Sequence, residues 1–129
     1  MQIKDKVKGK SLAIYLRKEK VDEDLINSGV GRLGWLEFEV ESYIPMNEIY
    51  VDEVNETKGL NMLINKIKRE NIEVLLIWSI EDFEINRFLE LIQICSNSNT
   101  RIISFCETDC FIESIKRDAR CYIENLDNM

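Results

Sequence analysis

The run Ile72 to Trp78, IEVLLIW, restricts the possible folds most strongly, because only Glu73 within it is not apolar. A strand with one solvated face shows apolar residues at every second position, whereas a strand covered on both faces is apolar almost throughout. Strands of the second kind belong to parallel sheets that have helices on both sides. The run therefore predicts a central strand of an α/β fold.

Strand-like and helix-like segments alternate along the rest of the chain. Short apolar runs predict further strands at Ser11–Tyr15, Glu48–Val51 and Arg101–Cys106. Apolar residues at helical spacing predict helices within Leu33–Ile44 (ended by Pro45), Leu60–Ile67, Ile85–Cys95 and Phe111–Ala119. This order predicts one domain over residues 1–129, with a three-layer α/β/α architecture and a mostly parallel sheet of four or five strands.

The charge argues against a nucleic-acid partner. The chain has 24 acidic and 17 basic residues, which gives a net charge of −7 at pH 7. Proteins that bind duplex DNA usually carry a basic face that neutralises phosphates. The basic cluster from Lys4 to Lys10 is interpreted as a solvated lead-in to the first strand. We therefore expect weak or no binding to duplex DNA.

Neither a membrane segment nor an export signal is recognisable in the sequence. No apolar run approaches the roughly 20 residues that cross a bilayer, and the N-terminus lacks the apolar stretch of a signal peptide. These features predict a cytoplasmic protein without a membrane partner.

Histidine is absent, and the four cysteines include no CxxC pair. The sequence therefore offers neither a histidine base nor the tight ligand pairs of a structural zinc site. Cys95 lies on an apolar helix face and Cys106 ends a predicted strand, so both are interpreted as buried thiols. No cofactor is expected.

Charged residues collect where the predicted strands end, which is where function gathers in a parallel α/β sheet. They are Arg17, Lys18 and Glu19 after the first strand, Asp52 and Glu53 after the second, and Glu81, Asp82 and Glu84 after the third.

These acids have two interpretations. The main one is that Glu81 and Asp82 favour the positive N-terminus of the following helix. The minor one is a magnesium site formed by Asp52, Glu81 and Asp82. In either case we expect Arg17 to pair with a carboxylate, most of all Asp52, because clustered acids without a counter-charge destabilise a fold.

The segment Gly29–Gly34 matches the pattern G-x-G-x-x-G. In a dinucleotide site this turn directly follows a buried strand, but here it follows the polar stretch Asp22–Ser28. A loop that enters a helix is the better interpretation.

Several motifs, taken in order, resemble the catalytic domain of the serine recombinases (resolvases and invertases). Ala13–Arg17 is similar to the family's opening strand, apolar-Tyr-x-Arg-x-Ser, and Ile49–Glu53 to its second strand, which ends in Tyr-x-Asp. Leu60–Trp78 and Ile85–Cys106 resemble the helix–strand units that follow. The resemblance spans about residues 11–107 and implies a resolvase-like fold without the separate DNA-binding domain of larger members.

The resemblance also implies that catalytic residues are missing. The family's nucleophilic serine falls on Glu19, and two of its phosphate-binding arginines fall on Asp82 and Ile85. The family's own residues remain at Arg17 and Asp52. Because phosphoryl transfer relies on positive charge around the transferred group, these positions are vestigial and no catalytic residue set is intact.

The predicted function is a protein-interaction or regulatory module related to site-specific DNA recombination. Its expected partner is a protein, either an active recombinase or a second copy in a homodimer. Two alternatives stay open, a small metal-dependent enzyme that uses the strand-end carboxylates and a recombination accessory protein that contacts DNA.

Overall fold

Parallel strands form the centre of the protein, which a computed structural model describes over residues 2–25, 31–40 and 48–127. The strands are β1 (Leu12–Arg17), β2 (Ile49–Asp52), β3 (Val74–Ile77) and β4 (Arg101–Ser104). The helices are α1 (Ile3–Val7), α2 (Arg32–Val40), α3 (Lys58–Arg69), α4 (Ile85–Asn97) and α5 (Asp109–Asp127), and a 3₁₀ turn covers Ile80–Asp82. Within the described residues the sheet is four-stranded, parallel throughout and ordered β2-β1-β3-β4, which confirms the predicted α/β class.

The chain reverses its direction across the sheet once. α2 connects β1 to β2 on one side, and α3 then brings the chain back past β1 to β3. Because βαβ crossovers are right-handed, the two opposite directions place α2 and α3 on opposite faces of the sheet. β1 and β3 therefore flank the switch point, where parallel α/β sheets usually place their functional cleft.

Each face of the sheet has its own core. On β1, Ala13 and Tyr15 pack with α3, α4 and α5, whereas Ile14 and Leu16 pack with α1 and α2. All four residues of β3 are buried, alternating between the same two cores. This two-sided burial confirms the prediction drawn from the run IEVLLIW.

The helix boundaries differ from the sequence prediction at the two ends of the chain. The interpretation of the basic N-terminus as a solvated lead-in holds for Lys8 and Lys10, which are exposed. It is wrong for the residues before them, because Ile3–Val7 is helical and Val7 packs in the core beside α2. The Lys6 ammonium also binds the Asp109 carboxylate at 2.7 Å. α5 extends in both directions beyond the predicted Phe111–Ala119, whereas Tyr43, Ile44 and Pro45 lie outside the described residues.

The two cysteine predictions have different outcomes. Cys95 is fully buried in α4, as predicted, and burial raises the pKa of its thiol to about 12. Cys106 is exposed, so the prediction of a buried thiol there is wrong. The physical reason is that β4 ends at Ser104, which leaves Cys106 in the loop before α5.

Candidate functional site at the carboxyl ends of the strands

A cleft of about 270 Å³ opens at the carboxyl ends of β1 and β3. Its walls come from the segment after β1, the loop after β2 and the 3₁₀ turn after β3. Residues that line it include Arg17, Lys18, Glu19, Asn55, Glu81 and Asp82. The fold thus brings together charged residues from separate strand ends.

Asp52 does not line this cleft, because its carboxylate caps α3. Its Oδ2 accepts hydrogen bonds from the Tyr15 hydroxyl at 2.6 Å and the Leu60 N–H at 3.0 Å, and its Oδ1 accepts one from the Gly59 N–H at 2.5 Å. A carboxylate in this position satisfies N–H groups of the first helical turn and interacts favourably with the helix dipole. Burial raises the pKa of Tyr15, and the hydrogen bond to Asp52 raises it further.

Gly59 permits this close approach of α3 to the end of β2. A Cβ atom at this position would lie 2.9 Å from Asp52 Oδ1 and 3.2 Å from the Val51 carbonyl oxygen. Both distances are shorter than ordinary carbon–oxygen contacts, so any larger residue would push the helix away from its cap.

The prediction that Arg17 forms an ion pair with Asp52 is wrong. Although the two residues are register partners on β1 and β2, Tyr15, Gly59 and Leu60 bind the Asp52 oxygens instead. Among residues 2–25, 31–40 and 48–119, whose side chains the structure describes, the Arg17 guanidinium forms no ion pair. Lys18, its neighbour, pairs with Glu53 at 3.0 Å.

Arg32 is the cation that compensates the acids at these strand ends. Its Nη1 lies 3.1 Å from Asp82 Oδ1, its Nε lies 2.8 Å from Glu23 Oε2, and its Nη2 donates to Glu23 Oε1 at 3.0 Å. The same Nη2 donates to the Arg17 carbonyl oxygen at 2.6 Å. The guanidinium carbon also lies 5.9 Å from the centre of the Trp78 ring. We refer to Glu23, Arg32 and Asp82 as the Arg32 network.

The Arg32 network is largely removed from solvent. Arg32 is 8% exposed and Asp82 is 6% exposed. Burial raises the pKa of Asp82, and the Arg32 charge opposes that rise. The hydrogen bond from Arg32 lowers the pKa of Glu23. Because the N–H donors of Arg32 are shared among Glu23, Asp82 and the Arg17 carbonyl oxygen, the guanidinium is committed to internal contacts.

Glu19, where the resemblance places a serine, projects toward solvent at the mouth of the cleft. Its side chain is 72% exposed, and its Oε1 lies 4.0 Å from Arg32 Nη1. Its backbone N–H donates to Glu23 Oε1 at 2.7 Å, which ties the segment after β1 to the Arg32 network. The cleft therefore has the Glu19 carboxylate at its mouth and the buried Asp82 carboxylate in its wall, together with the exposed Glu81.

A second carboxylate network joins the ends of β3 and β4. Glu107 accepts hydrogen bonds from the Ser79 hydroxyl at 2.9 Å, the Ser104 hydroxyl at 2.6 Å and the Ile80 N–H at 2.8 Å. The Ser79 hydroxyl in turn accepts from the Glu81 N–H at 3.1 Å. These bonds fix the 3₁₀ turn that carries Asp82, so they position one wall of the cleft.

The acids proposed as a minor magnesium site do not converge. Asp52 caps α3, Asp82 binds Arg32, and Glu81 is exposed. Among the residues that the structure describes, no group of three or more acidic, cysteine or histidine side chains is arranged to hold a metal ion. The interpretation of Asp82 as a favourable charge at a helix N-terminus also changes, because its carboxylate faces Arg32.

Ile85 begins α4 and is 64% exposed. The resemblance places a phosphate-binding arginine of the family at this position. Its apolar side chain provides neither a charge nor a hydrogen-bond donor beside the cleft.

Sequence reasoning missed Arg32, Glu23 and Glu107. Arg32 stands four and eight residues before Leu36 and Val40, in line with the buried stripe of α2, and this spacing indicates a buried cation. Ser104 and Glu107 form the pattern S-x-x-E, which commonly marks reciprocal side-chain and backbone hydrogen bonds. Glu23 offered no local signal, because its partner comes from a different element.

Comparison of the chain with protein-family models, with curated proteins and with solved structures gave no match. In the part of the chain that the structure describes, no helix is long and apolar enough to cross a membrane. The function must therefore be argued from the site itself.

Proposed function

We propose that this chain is a catalytically inactive relative of the serine recombinases that acts in the cytoplasm by binding another protein. The observation that carries the proposal is the Arg32 network. At the position where the resemblance places a phosphate-binding arginine, Asp82 is buried and bound to Arg32 at 3.1 Å. The strand ends thus hold an internal ion pair in place of a group that could receive a phosphate.

The charges of the cleft oppose phosphoryl transfer. Glu19 replaces the nucleophilic hydroxyl and would repel a scissile phosphate. Arg32 is committed to Glu23 and Asp82, so Arg17 remains as the cation of the cleft that has no carboxylate partner among the described residues. One arginine among acids provides little of the positive charge that stabilises a phosphoryl-transfer transition state.

Exposed aromatic side chains support a protein partner. Trp35 and Phe38 lie on the outer side of α2, 42% and 68% exposed, with their ring centroids 6.1 Å apart. Aromatic residues are enriched in protein interfaces, whereas single exposed aliphatic residues are ordinary on any surface. A net charge of −7 disfavours duplex DNA as the alternative partner.

The test of lost catalysis is trapping of a covalent protein–DNA adduct. Supercoiled DNA that carries recombination sites is incubated with the protein and then denatured, with an active serine recombinase as the positive control. We expect no adduct from the wild type. We also expect none from Glu19→Ser, because Asp82 and Ile85 still stand where the resemblance places the two phosphate-binding arginines, and Asp82 is bound to Arg32. A denaturation-resistant adduct from either protein would refute the proposal.

A further inference from the structure

Among the residues that the structure describes, no strand pairs with the outer edge of β2. The Lys18 N–H donates to the Asp52 carbonyl oxygen at 2.9 Å, so the backbone groups of Asp52 are directed toward β1. Successive residues of a strand direct these groups to opposite sides, which leaves the Val51 N–H directed away from β1. Within the described ranges, with their gaps at 26–30 and 41–47, β2 pairs with β1 alone.

An apolar groove of about 590 Å³ runs beside this edge, between β2 and the segment that follows β1. Its apolar lining comes from Val21, Leu25, Leu33, Ile49 and Val51. Val21 is 81% exposed and Val51 is 37% exposed, so apolar surface is uncovered directly beside the outer edge of β2. We refer to this feature as the β2-edge groove.

The polar residues of the β2-edge groove are predominantly acidic. They are Asp22, Glu23, Asp24 and Glu53, against Lys18 as the single base of the lining. Lys18 pairs with Glu53 at 3.0 Å and Arg32 pairs with Glu23 at 2.8 Å, so four acids of the lining face two bases. The rim therefore carries a negative field that favours a cationic occupant.

We propose that the β2-edge groove binds an extended, apolar and basic segment of a partner protein, which adds as a strand to the outer edge of β2. Such strand addition uses backbone hydrogen bonds for affinity and side-chain contacts for selectivity. Alternate apolar side chains of the segment would occupy the groove, while its Lys or Arg residues would meet the acidic rim. A second copy of the chain fits less well, because symmetric pairing would bring the two acidic rims together. This inference rests on the proposed function and specifies the chemical character of the partner segment.

The backbone contribution can be tested without disturbing the sheet. Val51→Pro removes the outward N–H but no hydrogen bond to β1, and proline is tolerated on strand edges of this kind. Val51→Thr keeps both the N–H and the branched side chain, so it is the matched control. We expect Val51→Pro to weaken binding of a groove peptide about tenfold or more, and Val51→Thr to weaken it much less.

The charge contribution is tested at Asp22, which is exposed on the rim. Asp22→Lys should weaken binding of a basic peptide by roughly threefold to tenfold, and the effect should shrink as salt is added. Asp118→Lys makes the same charge change on α5, which packs beside β4 at the opposite edge of the sheet. It should leave the affinity nearly unchanged.

The probe is a phage-displayed library of random dodecapeptides, selected on the full chain, with affinities of the enriched peptides measured by fluorescence anisotropy. We expect enriched sequences that alternate apolar residues with Lys or Arg. Failure to enrich such sequences, or equal binding to wild type and Val51→Pro, would overturn the assignment of the groove. Should Val51→Pro fail to fold, the comparison of Asp22→Lys with Asp118→Lys decides whether the groove binds the peptide. Equal affinities of these two variants would then overturn the assignment.

The two proposals can fail separately. A covalent DNA adduct would refute the loss of catalysis whatever the peptides do. If no adduct forms and no basic peptide binds, the assignment of the groove fails while the proposed loss of catalysis stands.

Discussion

Arg32 shows how a single buried cation organises the strand ends. Removing a guanidinium from water is expensive, and the cost is offset only where hydrogen bonds and opposite charges surround the group. Arg32 has Glu23, Asp82 and the Arg17 carbonyl oxygen as acceptors, and its guanidinium carbon lies over the Trp78 ring. Its role is therefore to hold the segment after β1 against the turn after β3.

Replacing this cation should destabilise the fold strongly. Arg32→Leu leaves two partly or fully buried carboxylates without their partner, so we expect a loss of about 3–5 kcal/mol at neutral pH, measured by urea unfolding. In the wild type, Glu23 stabilises the fold above its ordinary pKa of 4.5 and loses this contribution as the pH falls, because Arg32 lowers its folded-state pKa. The contribution of Asp82 to stability changes with pH in the opposite direction. Burial raises its folded-state pKa, so its ionisation costs stability as the pH rises.

The pH dependence distinguishes this account from a simple packing defect. Removing Arg32 raises the folded-state pKa of both acids, so the deficit of Arg32→Leu should shrink as the pH falls toward about 4 and they become neutral. A deficit independent of pH would mean that lost packing dominates. Arg17→Ala is the matched control, and we expect it to change stability by less than about 0.5 kcal/mol, because the Arg17 guanidinium has no carboxylate partner among the described residues.

At the scale of elements, the contact between β2 and α3 depends on a carboxylate and a missing side chain. Asp52 ends β2 and caps α3, and Gly59 leaves space for that contact. The helix itself has its apolar residues on one stripe, Leu60, Leu63, Ile64 and Ile67, which packs on the sheet beside Tyr15. The cap therefore sets where the helix begins, while the stripe sets which face it buries.

Asp52→Asn should uncap α3 and cost about 1–2 kcal/mol, because an amide replaces an acceptor that serves three donors. Gly59→Ala should cost about 1–3 kcal/mol, because its Cβ would displace Asp52 or the helix. Urea unfolding measures both losses, and faster hydrogen exchange at the Gly59 and Leu60 amides locates them. Glu53→Gln, one residue along and exposed, is the control that should be nearly neutral. Normal exchange protection in Asp52→Asn would contradict the capping role.

At the scale of the whole molecule, net charge decides which large partners are accessible. A net charge of −7 removes the counterion release that supplies most non-specific affinity for duplex DNA. The basic N-terminal residues do not reverse this balance, because Lys6 is engaged by Asp109. Binding to DNA would have to work against the charge of the chain as a whole.

We expect no gel shift of duplex DNA at low micromolar protein and physiological salt. Lowering the salt should add little, because few phosphate contacts are available to gain from it. A shift at physiological salt would contradict this expectation. Its loss in Lys8→Glu/Lys10→Glu, compared with Lys66→Glu on α3, would then identify the N-terminal segment as a basic arm.

The sequence by itself determined the layers of the fold, because consecutive apolar residues such as Val74–Ile77 indicate a strand that is buried on both faces. It also placed the acids at the strand ends, since parallel strands carry their functional loops at one edge. Which charges meet was decided by the tertiary structure alone. Asp52 binds helix α3 and not Arg17, while Arg32 reaches Glu23 and Asp82 from a different element. Which charges pair depends on spatial distances of a few ångströms between segments that are far apart in the sequence. A local sequence pattern does not specify those distances.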